Sequence, residues 1–314
     1  MNVPPNPSLK ALGYDGRDRV VIFHADDVGM CQATVSAYKD LHGAGLLSSA
    51  AVMLPCAWAP AAAQVIRSLP AADVGVHWTL TSEWTAYRWG PLTGDGHSPL
   101  VDAEGYFHAG VEQARQADPP TVRAELAAQL GRALDWGLDV THVDAHMGAA
   151  AHPKYLPDLF ELALAHGLPP LFPRQTAAAW QAAGLDGEDA RQAEQAAFAL
   201  EERGVPLVDH LRMLPLDTAG DHVDRADPAD HAALTRQMLR DLPPGLTHFI
   251  LHPARDTPEL RAICGDWPAR VANYHALMDL GLRREVQNLG VQVIGYRPLR
   301  ELLRQRQAAG EVRP

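Results

Sequence analysis

The sequence has few cysteines, no long apolar segment and no secretion-signal pattern. Cysteine is scarce and no pair has the CxxC spacing, so neither a disulfide framework nor a thiolate zinc site is indicated. The three thiols, expected to be reduced and buried, are Cys31, Cys56 and Cys264. No apolar run approaches the ~18 residues of a membrane span, and residues 1–10 lack the pattern of a secretion signal. We therefore expect a cytoplasmic protein without a membrane partner.

The sequence also lacks clustered positive charge. The formal net charge is -11 and the pI is about 5.7, which disfavours nucleic-acid binding because that depends on grouped Lys and Arg. The densest arginine group is predicted to lie on the solvated face of a last helix and comprises Arg297, Arg300, Arg304 and Arg306. Hydrophobic residues make up 47% of the chain, which is enough for the large core of a globular protein.

Short apolar segments rich in β-branched residues alternate with segments of helical period. The predicted strands are 19–25, 48–54, 73–78, 140–145, 170–173, 205–208, 247–252 and 291–295. The predicted helices are 32–44, 57–68, 120–137, 157–166, 188–203, 230–241 and 267–289. This alternation predicts an α/β fold with a parallel sheet, closed into a TIM-like (β/α) barrel of seven or eight strands, with some distortion allowed. We expect one domain over 1–314.

The segment 81–119 has no clear period and is too long for an ordinary connection. A loop of this length at the top of a barrel is typical of an active-site cover.

Residues able to bind metals or transfer protons lie at the carboxyl ends of the predicted strands. In a parallel barrel these ends meet on one face, where residues distant in sequence can reach one ion. In chain order the residues are Asp26, Asp27, His77, Asp144, His146 and His252.

Asp27, His77 and His146 form a three-ligand set for one divalent ion. One carboxylate and two imidazoles leave coordination positions open for water and substrate, as a catalytic site requires. This donor set suits zinc and other borderline metals. The alternative for each histidine alone is a hydrogen-bonded structural residue.

The adjacent carboxylates Asp26 and Asp27 are expected to point in different directions, because side chains alternate along a strand. One can then bind the ion while the other faces the attacking water as a general base; a turn followed by a helix cap is the alternative. His252 can donate a proton to a leaving amine, or serve as a fourth ligand or a structural histidine. His24 is expected to face away from the pair as a structural or supporting residue.

Several residues near the predicted ligands are candidates for substrate contacts. Asp144 either orients a metal-binding imidazole or caps the next element. Aromatic faces beside a hydrolytic centre suit stacking on sugar rings, although packing within the loop is the alternative. The predicted contacts are Trp78, Glu83, Arg88, Trp89 and Asp144.

Four motifs together resemble the YdjC-type carbohydrate deacetylases, which include diacetylchitooligosaccharide and hopanoid-associated deacetylases. The motifs are HADDVGM at 24–30, DVGVHWTL at 73–80, THVDAHM at 141–147 and ILHP at 250–253. The resemblance covers most of the chain, and each motif falls at a predicted strand end in the family's order. Many members carry another histidine where this sequence has Gly148, so no substrate contact is expected there.

The resemblance implies a barrel deacetylase that removes acetyl groups from an N-acetylated sugar. It implies that Asp26 is the base, that Asp27, His77 and His146 bind the metal, and that His252 is a late catalytic histidine. It also adds magnesium to zinc as an expected ion.

Two other functions fit the same residues. One is a different metal-dependent ester or phosphoester hydrolase on the same barrel, and the other is a sugar-binding barrel without turnover. We expect one ion, a small carbohydrate substrate and no nucleic-acid partner, and a homodimer is the base-rate expectation for assembly.

Overall fold

A computed structural model describes residues 4–94, 98–216 and 228–312. Within these ranges the chain forms an α/β fold with seven parallel strands in one sheet. The strands are β1 Arg19–Val28, β2 Ser49–Val52, β3 Val74–Trp78, β4 Val140–Ala145, β5 His210–Met213, β6 Gly245–Leu251 and β7 Gln292–Val293. The sheet order is β4-β3-β2-β1-β6-β5, and β7 also pairs with β1.

Thirteen α-helices accompany the sheet in the described ranges, and none of them is long and apolar enough to cross a membrane. They are α1 Pro7–Ala11, α2 Gln32–Ala44, α3 Ala59–Ser68, α4 Val111–Ala114, α5 Pro119–Asp135, α6 Leu156–Ala165, α7 Ala177–Ala182, α8 Gly187–Glu202, α9 Pro228–Arg240, α10 Pro258–Ile263, α11 Trp267–Met278, α12 Leu280–Asn288 and α13 Arg297–Ala308. Short 3-10 helices span His146–Gly148 and Pro153–Tyr155.

The parallel α/β architecture agrees with the sequence prediction, but a closed barrel is not shown. The sheet is open, with β4 and β5 at its edges. Two predicted strands, 170–173 and 205–208, are not strands and contribute only the isolated bridges Val143–Pro170 and Pro173–Val208. Prolines lack the N–H that a ladder needs, and three of them lie at 169, 170 and 173.

Strand β1 is the centre of the sheet because it pairs with β2, β6 and β7. Nearly all of its residues are buried, as expected for a parallel strand covered on both faces. Helix α2 follows β1 and ends at Ala44, and the φ of 76° at Gly45 allows the left-handed cap that follows. The cysteines Cys31, Cys56 and Cys264 are buried and unpaired, as predicted.

Two other sequence predictions need correction. The predicted helix 267–289 is two helices, because Asp279 leaves the helical conformation and its side chain accepts from Gly281 N to start α12. The predicted solvated face of α13 holds only in part. Arg304 is exposed, but Arg300 is buried and binds Asp139 and the Val140 carbonyl, and Arg297 also pairs with Asp139.

The predicted long loop 81–119 contains only α4, the start of α5 and one isolated bridge, Val101–Phe107, in its described part. Residues 95–97 lie outside the described residues.

Candidate metal and catalytic centre

A bulge at the end of β1 turns two adjacent carboxylates toward the same place. The β1–β2 register shifts between Ala25 and Val28, and Asp27 has φ 62°, a left-handed conformation that Asp tolerates better than most residues. Asp27 Oδ1 and Asp26 Oδ2 lie 3.3 Å and 3.7 Å from the same atom, His77 Nε2. The two side chains therefore do not point apart as strand alternation predicts.

Three ligand-type atoms converge at this point. Asp27 Oδ1 lies 3.1 Å from His146 Nδ1 and 3.3 Å from His77 Nε2, and the two imidazole nitrogens are 3.3 Å apart. The three residues are buried and lie at the carboxyl ends of β1, β3 and β4, which are distant in sequence. The fold therefore brings together the three residues that the sequence predicts as metal ligands.

The geometry fits a divalent ion. Metal–ligand bonds of ~2.0–2.1 Å at tetrahedral or octahedral angles place neighbouring ligand atoms about 2.9–3.4 Å apart, and the observed separations fall in that range. Asp27 Oδ1 is also buried without a hydrogen-bond partner among the described residues. A buried oxygen of this kind is costly unless a cation or donor satisfies it.

Each histidine of the set has a carboxylate on its other nitrogen. His77 Nδ1 lies 2.7 Å from Asp144 Oδ1, and His146 Nε2 lies 3.1 Å from Glu83 Oε2. Such carboxylates fix the tautomer of a ligand imidazole and turn its free nitrogen toward the ion. Burial opposes protonation of His146, but Glu83 and Asp27 raise its pKa to about 9.

Arg270 on α11 holds the second oxygen of Asp27. Its Nη1 donates to Asp27 Oδ2 at 2.7 Å, and its Nε donates to Asp266 Oδ1 at 2.9 Å. Burial opposes ionisation of Asp27, yet Arg270 holds the pKa of this carboxyl well below its ordinary value. Asp27 is therefore an anion, and only its Oδ1 is available to a metal ion. No sequence pattern pointed to Arg270, which lies 243 positions further along the chain.

Asp26 and His252 lie beside the three candidate ligand atoms. His252 Nε2 is 3.8 Å from Asp26 Oδ2, and the backbone N–H of His252 donates to Asn273 Oδ1. Burial opposes ionisation of Asp26, but His77 and the hydrogen bond with His24 hold its pKa below the usual range. Burial lowers the pKa of His252. Asp26 can thus accept a proton, and His252 Nε2 is placed to take up that proton and pass it on, on the same side of the three candidate ligand atoms.

His24 faces Asp26, contrary to the orientation predicted from the sequence, and this contact agrees with the predicted supporting role. Its Nδ1 lies 2.7 Å from Asp26 Oδ1 and its Nε2 lies 2.9 Å from His142 Nε2. The signal was present in the spacing, since residues 24 and 26 share a face of the strand. The His142 ring occupies space that only glycine leaves open, because a Cβ at Gly75 would lie 2.6 Å from it.

The predicted substrate contacts divide into two groups. Glu83 and Asp144 lie at the site and contact the ligand histidines. Trp78 and Trp89 are buried, and their indoles donate to the carbonyls of Leu126 and Thr81. Arg88 binds the Phe107 carbonyl, Asp102 and Glu104 within the loop. The structure therefore does not bring these last three side chains to the ligand atoms.

The fold and the site define an α/β protein with a candidate metal centre at the carboxyl ends of its parallel strands. Comparison with protein families gives a match to the YdjC-like proteins over residues 20–288. The chain belongs to the YdjC-like family, as its sequence motifs suggest.

Individual relatives support this membership. A carbohydrate deacetylase of Thermus thermophilus is 34% identical over 296 residues, which cover 94% of this chain and 98% of that protein. A carbohydrate deacetylase of Brevibacillus brevis is 33% identical over 153 residues, 49% of this chain and 59% of that protein. A crystal structure described as a cellobiose-phosphate cleavage protein, from Enterococcus faecalis, aligns with a TM-score of 0.71. It shares 20% identity and covers 90% of this chain and 99% of its own, so it shows the fold alone.

Proposed function

We propose that this protein is a metal-dependent carbohydrate deacetylase that hydrolyses an N-acetyl group on a sugar. The observation that carries the proposal is the convergence of Asp27 Oδ1, His77 Nε2 and His146 Nδ1 beside Asp26 and His252. The carbohydrate deacetylase of Thermus thermophilus, which aligns over nearly its whole length, supports the substrate class.

Asp27, His77 and His146 would hold one divalent ion, either Zn²⁺ or Mg²⁺. When bound there, the ion would lower the pKa of a water molecule and polarise the acyl oxygen. Asp144 and Glu83 keep the ligand nitrogens of the two histidines turned inward. Arg270 keeps Asp27 ionised and limits it to one ligand oxygen.

Asp26 and His252 would move the protons of the reaction. Asp26 Oδ2 takes a proton from the attacking water, because Oδ1 is already engaged by His24. His252 Nε2, 3.8 Å from Asp26 Oδ2, receives that proton and passes it to the departing amine. The C–N bond breaks as that proton arrives, and acetate and the free amino sugar leave.

The sugar ring would meet side chains that border the ligands rather than the buried indoles of Trp78 and Trp89. Met147 follows His146 and is 50% exposed, and Trp84 lies half-buried next to Glu83 with Arg270 5.9 Å from its ring. Both offer apolar surface suited to a sugar face. A distorted barrel is supported by the isolated bridges Val143–Pro170 and Pro173–Val208, which extend the pairing from β4 toward β5.

The test is acetate release from a panel of N-acetylated mono- and oligosaccharides. Metal-stripped protein is assayed with zinc, with magnesium, with manganese and without added ion. We expect release that depends on one of these ions. Silence across the panel with metal demonstrably bound would contradict the proposal, and so would full activity of the stripped protein.

A further inference from the structure

A second group of polar side chains lies in the core directly beneath Asp26. We call it the core histidine cluster and define it as His24, His142, His248 and Tyr296. All four residues are essentially inaccessible to solvent. His142 stacks on Tyr296 with ring centroids 3.8 Å apart, and the Tyr296 hydroxyl lies 2.8 Å from His248 Nδ1. Packing alone does not explain the cluster, because burying polar rings has a cost.

Asp73, at the opposite end of the sheet, sets the direction of the hydrogen bonds that run through Thr141 and His142 to His24. Asp73 accepts from Ser49 Oγ at 3.0 Å, from Thr141 Oγ1 at 2.7 Å and from Arg297 N at 2.7 Å. The only hydroxyl proton of Thr141 is used in that bond. Its oxygen can therefore only accept from His142 Nδ1, which lies 3.0 Å away.

His142 then has its proton on Nδ1, and its Nε2 is an acceptor. Burial, together with the neighbouring His24, lowers the pKa of His142 well below its ordinary value, in agreement with a neutral ring. The partner of His142 Nε2 is His24 Nε2 at 2.9 Å. His24 must therefore carry a proton on Nε2.

The other nitrogen of His24 faces an acid. His24 Nδ1 lies 2.7 Å from Asp26 Oδ1, so one proton lies between them. On the Nε2 side, Asp144 Oδ2 lies 3.6 Å away and forms no hydrogen bond among the described residues. Two carboxylates thus flank one imidazole. The titratable groups that face His24 from all sides are Asp26, His142, Asp144, His248 and Tyr296.

We propose that His24 is a positioning residue, held doubly protonated by the chain Asp73–Thr141–His142, that ties down Oδ1 of Asp26. The consequence is that Oδ2 is the only oxygen of Asp26 that faces His77 and His252, at 3.7 Å and 3.8 Å. This inference rests on the role proposed for Asp26 above. Residues at both ends of the sheet, from Asp73 to Asp26, would then contribute to the catalytic site.

The protonation of His24 can be measured without activity or metal. Metal-free protein labelled with ¹⁵N-histidine is examined by NMR at pH 8, where an unperturbed histidine is neutral. We expect both ring nitrogens of His24 to be protonated in the wild-type protein. A His24 with one unprotonated nitrogen would overturn the proposal, whether or not the protein proves to be a deacetylase.

A matched pair of variants tests the chain. Thr141→Val removes the hydroxyl that directs His142, so His142 can place its proton on Nε2 and His24 can become neutral. Tyr296→Phe removes one hydroxyl from the same cluster but breaks no link of the chain. We expect one unprotonated His24 nitrogen in Thr141→Val and none in Tyr296→Phe. The same His24 spectrum in both variants would overturn the role of the chain.

Kinetics test the positioning of Asp26 with the best substrate of the acetylated-sugar panel. His24→Leu should lower kcat at least tenfold with unchanged KM and unchanged metal Kd. His24→Asn should recover a large part of kcat, because its amide N–H lies about where Nδ1 is. Equal kcat losses in the two variants, or a wild-type kcat in His24→Leu, would overturn the positioning role.

Discussion

Glu83→Gln and Asp144→Asn test whether the two carboxylates support the metal ligands or contact the substrate. Each replacement keeps the size of the side chain but removes the charge that fixes a ligand imidazole. Supporting carboxylates of this kind typically contribute 10–100-fold to metal affinity, which corresponds to about 1.4–2.7 kcal/mol. Asp144 is the more buried of the two and has the shorter contact, 2.7 Å against 3.1 Å. We therefore expect Kd to rise about 100-fold in Asp144→Asn and about 10-fold in Glu83→Gln.

The assay is a competition titration of metal-stripped protein against a chromophoric chelator, with kcat and KM measured in parallel. Glu104→Gln is the matched control, because Glu104 is an exposed loop carboxylate paired with Arg88. Its Kd should equal that of the wild type. If Glu83→Gln raised KM tenfold and left Kd unchanged, Glu83 would be a substrate contact and the reasoning from its hydrogen bond would be refuted.

Two further variants test the core. Gly75→Ala places a Cβ 2.6 Å from the His142 ring, and the resulting overpacking should lower the free energy of unfolding by about 1–3 kcal/mol; an unchanged urea midpoint would contradict the close approach. Asp139→Asn removes a carboxyl whose pKa Arg300 and Arg297 lower to about 2. A carboxyl with a depressed pKa stabilises the fold at pH values above its unfolded-state pKa of ~3.9. The variant should therefore lose about 0.5–1 kcal/mol of its free energy of unfolding at pH 7, a figure reduced for solvent screening. This loss should vanish as the pH falls toward 2, which urea unfolding at several pH values can measure. A loss that does not change with pH, or an equal loss in the exposed control Asp135→Asn, would contradict an electrostatic role for Asp139.

The sequence was sufficient to predict the parallel α/β architecture, because alternating apolar and helical segments leave a parallel sheet as the natural arrangement. Strand β4 and helix α2 begin and end at the predicted residues. The failures have local causes. Prolines in 170–173 leave too few N–H donors for a ladder, and the side chain of Asp279 starts a new helix within a continuous helical pattern.

At the candidate site, the sequence was sufficient to predict which residues lie at the strand ends, but it did not predict where their side chains point. Asp26 and Asp27 face the same histidine because a bulge with positive φ replaces the alternation expected of a regular strand. Arg270 could not be predicted, since nothing in a helix sequence shows which distant carboxylate its arginine will meet. His24 was predictable from its two-residue spacing to Asp26.

The measurement that tests the central claim most directly is acetate release by Asp26→Asn, with metal binding measured on the same sample. The amide keeps the shape of the side chain but cannot take a proton from water. General bases contribute about 10²–10⁴-fold to rate, so we expect kcat to fall by that factor while the Kd for the ion stays within about twofold of wild type. A near-normal rate with metal bound would contradict the account.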